Sequence, residues 1–217
     1  MKPIKIPGVY KDRNQIFTIN PKGCPKVYNE RIFKKNNVEY RSWNPYRSKL
    51  AAAILNDLKI DIDKDCKILY LGAATGTTVS HISDILSDGV VYAVENSAIA
   101  MKKFLSVCKN RTNIIPIFEN ANHPEKYNVI VPKVDFLYQD ISQRNQIEIF
   151  MRNMSFYLKK NSYSIIMVKA RSIDVSLKPK KVYEQTCMKL KENNYKIIDE
   201  IDLGPFEKDH AAIIVQN

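Results

Sequence analysis

Apolar positions recur with two different periods in the chain from residue 67 onward. Short runs of apolar residues predict strands, whereas apolar residues three or four positions apart predict helices. Strands are predicted at residues 67–71, 89–95, 113–118, 134–139, 163–170, 195–203 and 211–216. Helices are predicted at residues 77–86, 97–108, 145–158 and 179–192. Because strands and helices alternate over most of this stretch, we expect a doubly wound, mainly parallel sheet with helices on both faces.

The last two predicted strands follow each other without a helix between them. Only residues 204–210 separate these strands, which is too short for the crossover that parallel neighbours need. We therefore expect the pair to form an antiparallel hairpin, so that the last strand runs against the others. The expected fold class is α/β, with seven strands in the main sheet and an antiparallel last strand.

The N-terminal part of the chain has a different pattern, with short β-like stretches among Pro, Asn and Lys residues. Residues 15–19 are typical of one strand. Asn36-Asn37 is typical of the turn of a hairpin, with strands predicted at residues 31–35 and 38–41. These short strands without intervening helices predict a small β-rich subdomain.

Helical periodicity begins after these strands, and it predicts a helix from Pro45 to Leu58. We therefore expect a small β-rich subdomain in residues 1–50 and an α/β domain in residues 51–217. A chain of 217 residues with 45% hydrophobic residues is long enough to bury a substantial core in such an arrangement.

Composition excludes several classes of protein. No run approaches the roughly 18 apolar residues of a membrane-spanning helix, and the N-terminus lacks the apolar core of a signal peptide. We therefore expect a cytoplasmic protein with no membrane partner. The four cysteines are widely separated and form no Cys-x-x-Cys pair, so we expect neither a disulfide framework nor a metal site.

The formal net charge of +11 is concentrated near the N-terminus. Residues 1–50 contain 12 Lys or Arg and 3 Asp or Glu, whereas the remaining residues contain 22 and 20. Such a basic surface either faces phosphates or an acidic partner, or it only keeps the protein in solution. Charge alone does not separate these alternatives.

Two arginines and three aromatic residues near residue 45 also have alternative roles. Arg41 and Arg47 are able either to contact phosphate or to pair with acidic side chains. The aromatic side chains of Tyr40, Trp43 and Tyr46 could stack on bases, but such residues more often pack one subdomain on another, which we favour.

A glycine-containing loop follows the first strand of the predicted sheet, and its sequence is Gly72-Ala73-Ala74-Thr75-Gly76-Thr77-Thr78. Such a loop between a strand and a helix lets a ligand approach the backbone. Glu95 ends the second strand 23 positions after Gly72, close to the ~20 positions typical of a carboxylate that binds the ribose of an adenosine cofactor. Ala74 replaces the second glycine of a dinucleotide fingerprint, which disfavours a nicotinamide cofactor.

Two segments resemble a known family. Residues 40–55, YRSWNPYRSKLAAAIL, and residues 69–95, LYLGAATGTTVSHISDILSDGVVYAVE, are similar to fibrillarin and its archaeal fibrillarin-like relatives. Similarity continues in the same order through residues 111–127, Asp140, Lys169-Ala170 and residues 205–211, and it covers nearly everything from residue 27 to 217. The N-terminus has no Gly/Arg-rich tract, so the chain resembles the archaeal form.

The resemblance implies a Rossmann-like methyltransferase fold and transfer of a methyl group from S-adenosylmethionine to ribose 2′-hydroxyls of rRNA or tRNA. It also implies partners: a C/D box guide RNA, a Nop-domain scaffold protein and a kink-turn-binding, ribosomal-protein-like protein. Methylation of a protein, such as a histone glutamine, is an alternative because eukaryotic members of the family are associated with it. A non-catalytic RNA-binding module is another alternative.

The family motifs also imply site residues. Cofactor contacts are expected from Gly72, Ala73, Ala74, Gly76, Thr77, Thr78, Glu95, Asn96, Asn120, Ala121, Asp140, Ile141, Ser142 and Gln143. Asn96 and Asn120 depart from the family pattern, which often has Phe and usually Asp at these positions.

A catalytic set is implied at Lys49, Asp140, Lys169 and His210. Lys169 is expected to orient the 2′-hydroxyl and is the candidate for its deprotonation, with Lys49 as a nearby cation. Asp140 would hold Lys169, and His210 would take the proton onward or position the lysine. Because the sulfonium already activates the methyl group, the reaction requires no metal.

Overall fold

The computed structural model describes residues 1–217, and its N-terminal part is a five-stranded antiparallel sheet with the strand order β1-β2-β3-β5-β4. Its strands are β1 (Lys2–Pro3), β2 (Val9–Asp12), β3 (Gln15–Ile19), β4 (Ile32–Lys35) and β5 (Val38–Trp43). The predicted hairpin is confirmed, because β4 and β5 pair across Asn36 and Asn37, whose φ angles are 49° and 61°. Two consecutive residues with positive φ are what a tight hairpin turn of the type I′ class requires.

The first helix is shorter than predicted. The helical pattern suggested Pro45 to Leu58, but α1 spans Lys49–Leu55. The helix begins where it does because the side chain of Ser48 accepts a hydrogen bond from the Ala51 N–H and caps the first turn. The predicted division of the chain at residue 50 falls within α1 and stays a prediction.

The second sheet has seven strands in the order β11-β12-β10-β9-β6-β7-β8. Its elements, in chain order, are β6 (Lys67–Leu71), α2 (Thr77–Ile85), β7 (Val90–Glu95), α3 (Ala98–Cys108), β8 (Ile114–Phe118), β9 (Val134–Gln139), α4 (Gln146–Tyr157), β10 (Leu158–Lys169), α5 (Ala170–Ile173), α6 (Pro179–Glu192), β11 (Lys196–Asp202) and β12 (His210–Gln216). Strand β12 pairs antiparallel with both β10 and β11, and the remaining pairs are parallel. The predicted fold class is confirmed.

The order of the strands determines where a ligand can bind. The chain runs outward from β6 through β7 to β8, then returns to β9 on the other side of β6. This reversal is a topological switch point, and ligands of open α/β sheets bind there, beyond the carboxyl ends of the strands.

Apolar side chains cover both faces of the seven-stranded sheet. Successive residues of β6 alternate between the two apolar clusters: Ile68 and Tyr70 belong to one, and Leu69 and Leu71 belong to the other. This alternation is the two-residue period of a strand that is buried on both sides.

No helix of the protein is both long and apolar enough to span a bilayer.

A buried ion-pair network joins the N-terminal sheet to α2. The Arg41 guanidinium on β5 has no exposed surface; it donates to Glu30 Oε1 at 2.6 Å and to Asp84 Oδ2 at 3.0 Å. Asp84, in α2, also accepts from the Thr18 hydroxyl of β3 at 2.7 Å and from Arg111. Of the two roles considered for Arg41, the structure therefore shows pairing with acidic side chains.

His81 of α2 lies in the same interface, stacked on the Trp43 ring with 4.7 Å between the ring centroids. Burial and the charges of Arg41 and Arg111 hold the pKa of His81 well below its ordinary value, so the ring is neutral. Because the Thr18 hydroxyl donates to Asp84, it accepts from His81 Nδ1 at 2.8 Å. Trp43 is thus a packing residue between the two parts of the chain, as favoured from the sequence.

Removing the Arg41 guanidinium should destabilise the protein strongly. In Arg41→Ala, the buried carboxylates on either side lose their counter-ion, and we expect the free energy of unfolding to fall by about 3–5 kcal/mol. Arg47→Ala is the matched control, because Arg47 is exposed and its side chain makes no ion pair. Urea unfolding followed by circular dichroism measures both variants; equal stability of the two would contradict this role for Arg41.

Candidate active site

A pocket of about 330 Å³ lies beyond the carboxyl ends of β6, β7 and β9, next to the switch point. Its lining residues are Gly72, Ala74, Val94, Glu95, Asn96, Glu119, Ala121, Asp140, Ile141, Ser142, Gln143 and Lys169. Ten of these twelve are among the residues predicted from the sequence, although they come from segments up to about a hundred positions apart.

The floor of the pocket depends on a close approach of three strand ends. The N–H groups of Gly72 and Ala73 both donate to the Val94 carbonyl, at 2.9 and 3.0 Å. A side chain at Gly72 would collide with the Asp140 carbonyl and with the Ile141 side chain, and the φ of Gly72 is +90°. Glycine is therefore required at this position both by its backbone conformation and by the lack of space.

The carboxylate of Glu95 is fixed at the end of β7. Its Oε2 accepts from the Ala74 N–H and its Oε1 from the Ser97 N–H, each at 2.7 Å. Each carboxylate oxygen has a second lone pair, so the group can still accept two hydrogen bonds from neighbouring hydroxyls. A ribose diol presents such a pair of donors.

Asp140 forms the centre of a charged cluster at the other end of the pocket. Its Oδ2 lies 3.2 Å from Lys49 Nζ, and its Oδ1 lies 3.1 Å from Lys169 Nζ. Lys169 Nζ also contacts the Ser142 hydroxyl. The side chains of Lys49, Asp140 and Lys169 are only 14%, 15% and 17% exposed, so water screens the cluster weakly.

The charge of Asp140 is stabilised by the two lysines. Burial alone would raise the pKa of this carboxyl group, but the charges and hydrogen bonds of Lys49 and Lys169 outweigh it, so the pKa lies below its ordinary value. Asp140 is therefore ionised at neutral pH. Its Oδ1 makes no well-aligned hydrogen bond within the protein, despite the nearby lysine.

His210 is the first residue of β12 and lies opposite Lys169 in the antiparallel register of β10 and β12. Its Nδ1 is 2.7 Å from the Lys208 carbonyl oxygen, which can only accept, so Nδ1 carries a proton. The opposite ring nitrogen, Nε2, makes no hydrogen bond to the protein and can accept one from a ligand. Of the four residues predicted as catalytic, Lys49, Asp140 and Lys169 thus meet at one end of the pocket, and strand pairing places His210 opposite Lys169.

Five of the residues predicted to contact a cofactor do not line the pocket; they are Ala73, Gly76, Thr77, Thr78 and Asn120. Gly76 is the N-cap of α2, with a φ of +88°. The hydroxyl of Thr78 is buried and donates to Ser48 Oγ at 2.9 Å. This hydrogen bond joins the start of α2 to the cap of α1, immediately before Lys49.

Glu119, the residue before Asn120, and Val94 line the pocket without having been predicted from the sequence. The Asn120 side-chain carbonyl instead accepts from the backbone N–H of Asn122 at 2.9 Å, so it shapes the turn. One signal could have identified Glu119. It directly follows β8, so it lies at the same edge of the sheet as Glu95 and Asp140.

The sequence and the fold both match known proteins. The family profile described as Fibrillarin matches residues 1–217. The fibrillarin-like rRNA/tRNA 2′-O-methyltransferase of Methanothermobacter thermautotrophicus is 46% identical over 210 residues, which are 96% of this chain and 94% of that protein. The protein of the same name from Methanocaldococcus jannaschii is 50% identical over 190 residues, which are 87% of this chain and 83% of that protein.

Two solved structures have the same fold over nearly the whole chain. A crystal structure of a fibrillarin/Nop5p complex matches with a TM-score of 0.91 and 42% identity, and covers 100% of both chains. Aeropyrum pernix fibrillarin with natively bound S-adenosyl-L-methionine matches with a TM-score of 0.84 and 45% identity, over 93% of this chain and 88% of that one. The chain therefore belongs to the fibrillarin family.

Proposed function

We propose that this protein is an S-adenosylmethionine-dependent methyltransferase that modifies ribose 2′-hydroxyls of rRNA and tRNA. The observation that carries this proposal is the cluster of Lys49, Asp140 and Lys169, which lies at one end of the pocket that contains Glu95. The names of the two relatives and the ligand of the Aeropyrum pernix structure support the same reaction.

The pocket fits S-adenosylmethionine in both hydrogen bonding and charge. Glu95 has acceptor capacity left for the ribose hydroxyls. Three carboxylates line the pocket, those of Glu95, Glu119 and Asp140, against two ammonium groups: that of Lys169 in the lining and that of Lys49, which pairs with Asp140. This excess of negative charge favours a cofactor with a sulfonium centre. When bound, S-adenosylmethionine supplies an electrophilic methyl group.

Lys169 is the residue that orients the ribose hydroxyl. The ion pair with Asp140 and the hydrogen bond to the Ser142 hydroxyl hold the Lys169 ammonium group in place. An ammonium group has three N–H donors, so donors remain for the 2′-oxygen and can align it for attack. An ammonium group donates hydrogen bonds and cannot accept one, so Lys169 is better suited to orienting the hydroxyl than to removing its proton.

His210 is the group that accepts the hydroxyl proton. Its Nε2 is an acceptor without a partner in the protein, and β12 holds the residue in register with Lys169. Histidine is the side chain that most often serves as a general base, and it needs a ring nitrogen free to accept the proton. Lys49 acts through Asp140, because it holds the carboxylate from the side opposite Lys169.

We also propose that the protein acts within a C/D box ribonucleoprotein, with a guide RNA, a Nop-domain scaffold and a kink-turn-binding protein. A fibrillarin of the same fold forms a complex with Nop5p, which supports the scaffold partner. The catalytic cluster offers groups for a ribose hydroxyl and none that distinguishes one base from another. Target choice is therefore expected to come from pairing with a guide RNA.

Transfer of a labelled methyl group to RNA tests the reaction. We expect label from S-adenosylmethionine on the target RNA in the full assembly, and none on a matched RNA that lacks only the target 2′-hydroxyl. Label on that deoxy RNA would refute ribose methylation. Label on a protein component instead of RNA would indicate a protein methyltransferase, and absence of transfer despite cofactor binding would indicate a binding module.

Lys169→Ala should abolish most methyl transfer without loss of the cofactor. We expect the single-turnover rate to fall by at least about a hundredfold, because the group that aligns the hydroxyl is removed. The dissociation constant for S-adenosylmethionine, measured by calorimetry, should change little. Lys160→Ala is the matched control, since Lys160 is an exposed lysine of the same strand without an ion pair. Transfer at more than half the normal rate would rule out this role.

Glu95→Ala should weaken cofactor binding. Loss of charged acceptors for the ribose should raise the dissociation constant for S-adenosylmethionine by about tenfold to a hundredfold. Glu95→Gln retains one acceptor for the backbone of the loop and should show a smaller effect. Calorimetry compares both with Glu184→Ala, an exposed glutamate of α6. Unchanged affinity in Glu95→Ala would mean that the ribose lies elsewhere.

A further inference from the structure

A second pocket, of about 540 Å³, shares the glycine loop with the first. Ala74 lines the first pocket, and the next residue, Thr75, lines the second. The second pocket is lined by Pro25, Lys26, Val27, Tyr28, Arg47, Thr75, Lys103, Ser106, Val107, Asn110 and Arg111. None of these residues has a part in the reaction proposed above.

The charge of the second pocket is opposite to that of the first. Four of its residues are Lys or Arg, namely Lys26, Arg47, Lys103 and Arg111, and none is Asp or Glu. Lys26, Arg47 and Lys103 are exposed, and no ion pair within the protein involves them. Three cations that converge on one concavity without counter-ions repel each other unless an anion binds between them.

Further donors in the pocket are also free. The hydroxyls of Thr75 and Ser106 and the side-chain amide of Asn110 form no hydrogen bonds in the structure. Arg111 lies behind these groups: its side chain is only 2% exposed, its Nη1 pairs with Asp84, and its Nη2 is buried without a hydrogen-bond partner. Hydroxyl, amide and guanidinium donors around unpaired lysines are the groups that bind phosphate oxygens.

We propose that this pocket binds a phosphodiester group of the RNA strand that is methylated, a proposal that rests on the function proposed above. Arg47 lies two residues before Lys49, so their Cα atoms are at most about 7 Å apart. A strand whose 2′-hydroxyl reaches the catalytic cluster therefore brings its backbone phosphates close to Arg47. An acidic segment of a protein would be the alternative occupant, but the substrate strand is the polyanion that the reaction already brings here.

A double charge variant tests this proposal in the assembled ribonucleoprotein. For Lys26→Gln/Lys103→Gln, we expect the KM for substrate RNA to rise about tenfold, since a charge-assisted contact is lost, while kcat at saturating RNA stays unchanged. The slope of log affinity against log salt should also decrease by about one. The control is Lys22→Gln/Lys102→Gln, which removes the same charge from exposed residues that do not line the pocket.

Equal KM values and equal salt slopes for the two double variants would overturn the proposal. A weakened affinity for the scaffold protein, with an unchanged KM for RNA, would also overturn it and would identify an acidic protein surface as the occupant. If the unmodified protein transfers no methyl group, the proposed function fails, and binding of a fluorescein-labelled single-stranded RNA, followed by anisotropy, still tests the pocket. Weaker binding by Lys26→Gln/Lys103→Gln alone would then support the phosphate site.

Discussion

The buried guanidinium of Arg41 is the charge on which the relative position of the two sheets depends. It contacts Glu30 from the N-terminal part and Asp84 from α2, and all three side chains are excluded from water. A buried charge is tolerated only with its partners in place, so a displaced N-terminal sheet would leave these charges unpaired. The hydrogen bond between Ser48 and Thr78 adds a second connection close to the glycine loop.

This rigid connection matters because the residues of the catalytic cluster come from parts of the chain that are distant in sequence. Lys49 follows directly after the cap of α1, whereas Asp140, 91 positions later, directly follows β9 of the second sheet. Their 3.2 Å ion pair exists only if α1 is held against the carboxyl edge of that sheet. The N-terminal sheet does not line the site, but it contributes to the site because it fixes the position of Lys49.

The sequence predicted the elements that depend on a local pattern of residues. It did not predict the features that depend on contacts with residues distant in the sequence. The strands at residues 67–71 and 134–139 agree with β6 and β9 residue for residue, because each contains a short run of mostly apolar, buried residues. Strand β1 has two residues and exists only by pairing with β2, so no local pattern could identify it. Likewise, the ion pair of Arg41 with Asp84 joins residues 43 positions apart, and the orientation of Glu119 into the pocket depends on the turn after β8.

The order of the strands at one edge of the sheet has a consequence for folding. Strand β11 precedes β12 in the chain, yet its only neighbour in the sheet is β12, which lies between it and β10. During synthesis, β11 leaves the ribosome first and remains unpaired until β12 has been made. Strand β12 also pairs with β10, and this second pairing brings His210 opposite Lys169. A nascent chain can therefore assemble the cofactor pocket before it can assemble the complete catalytic group.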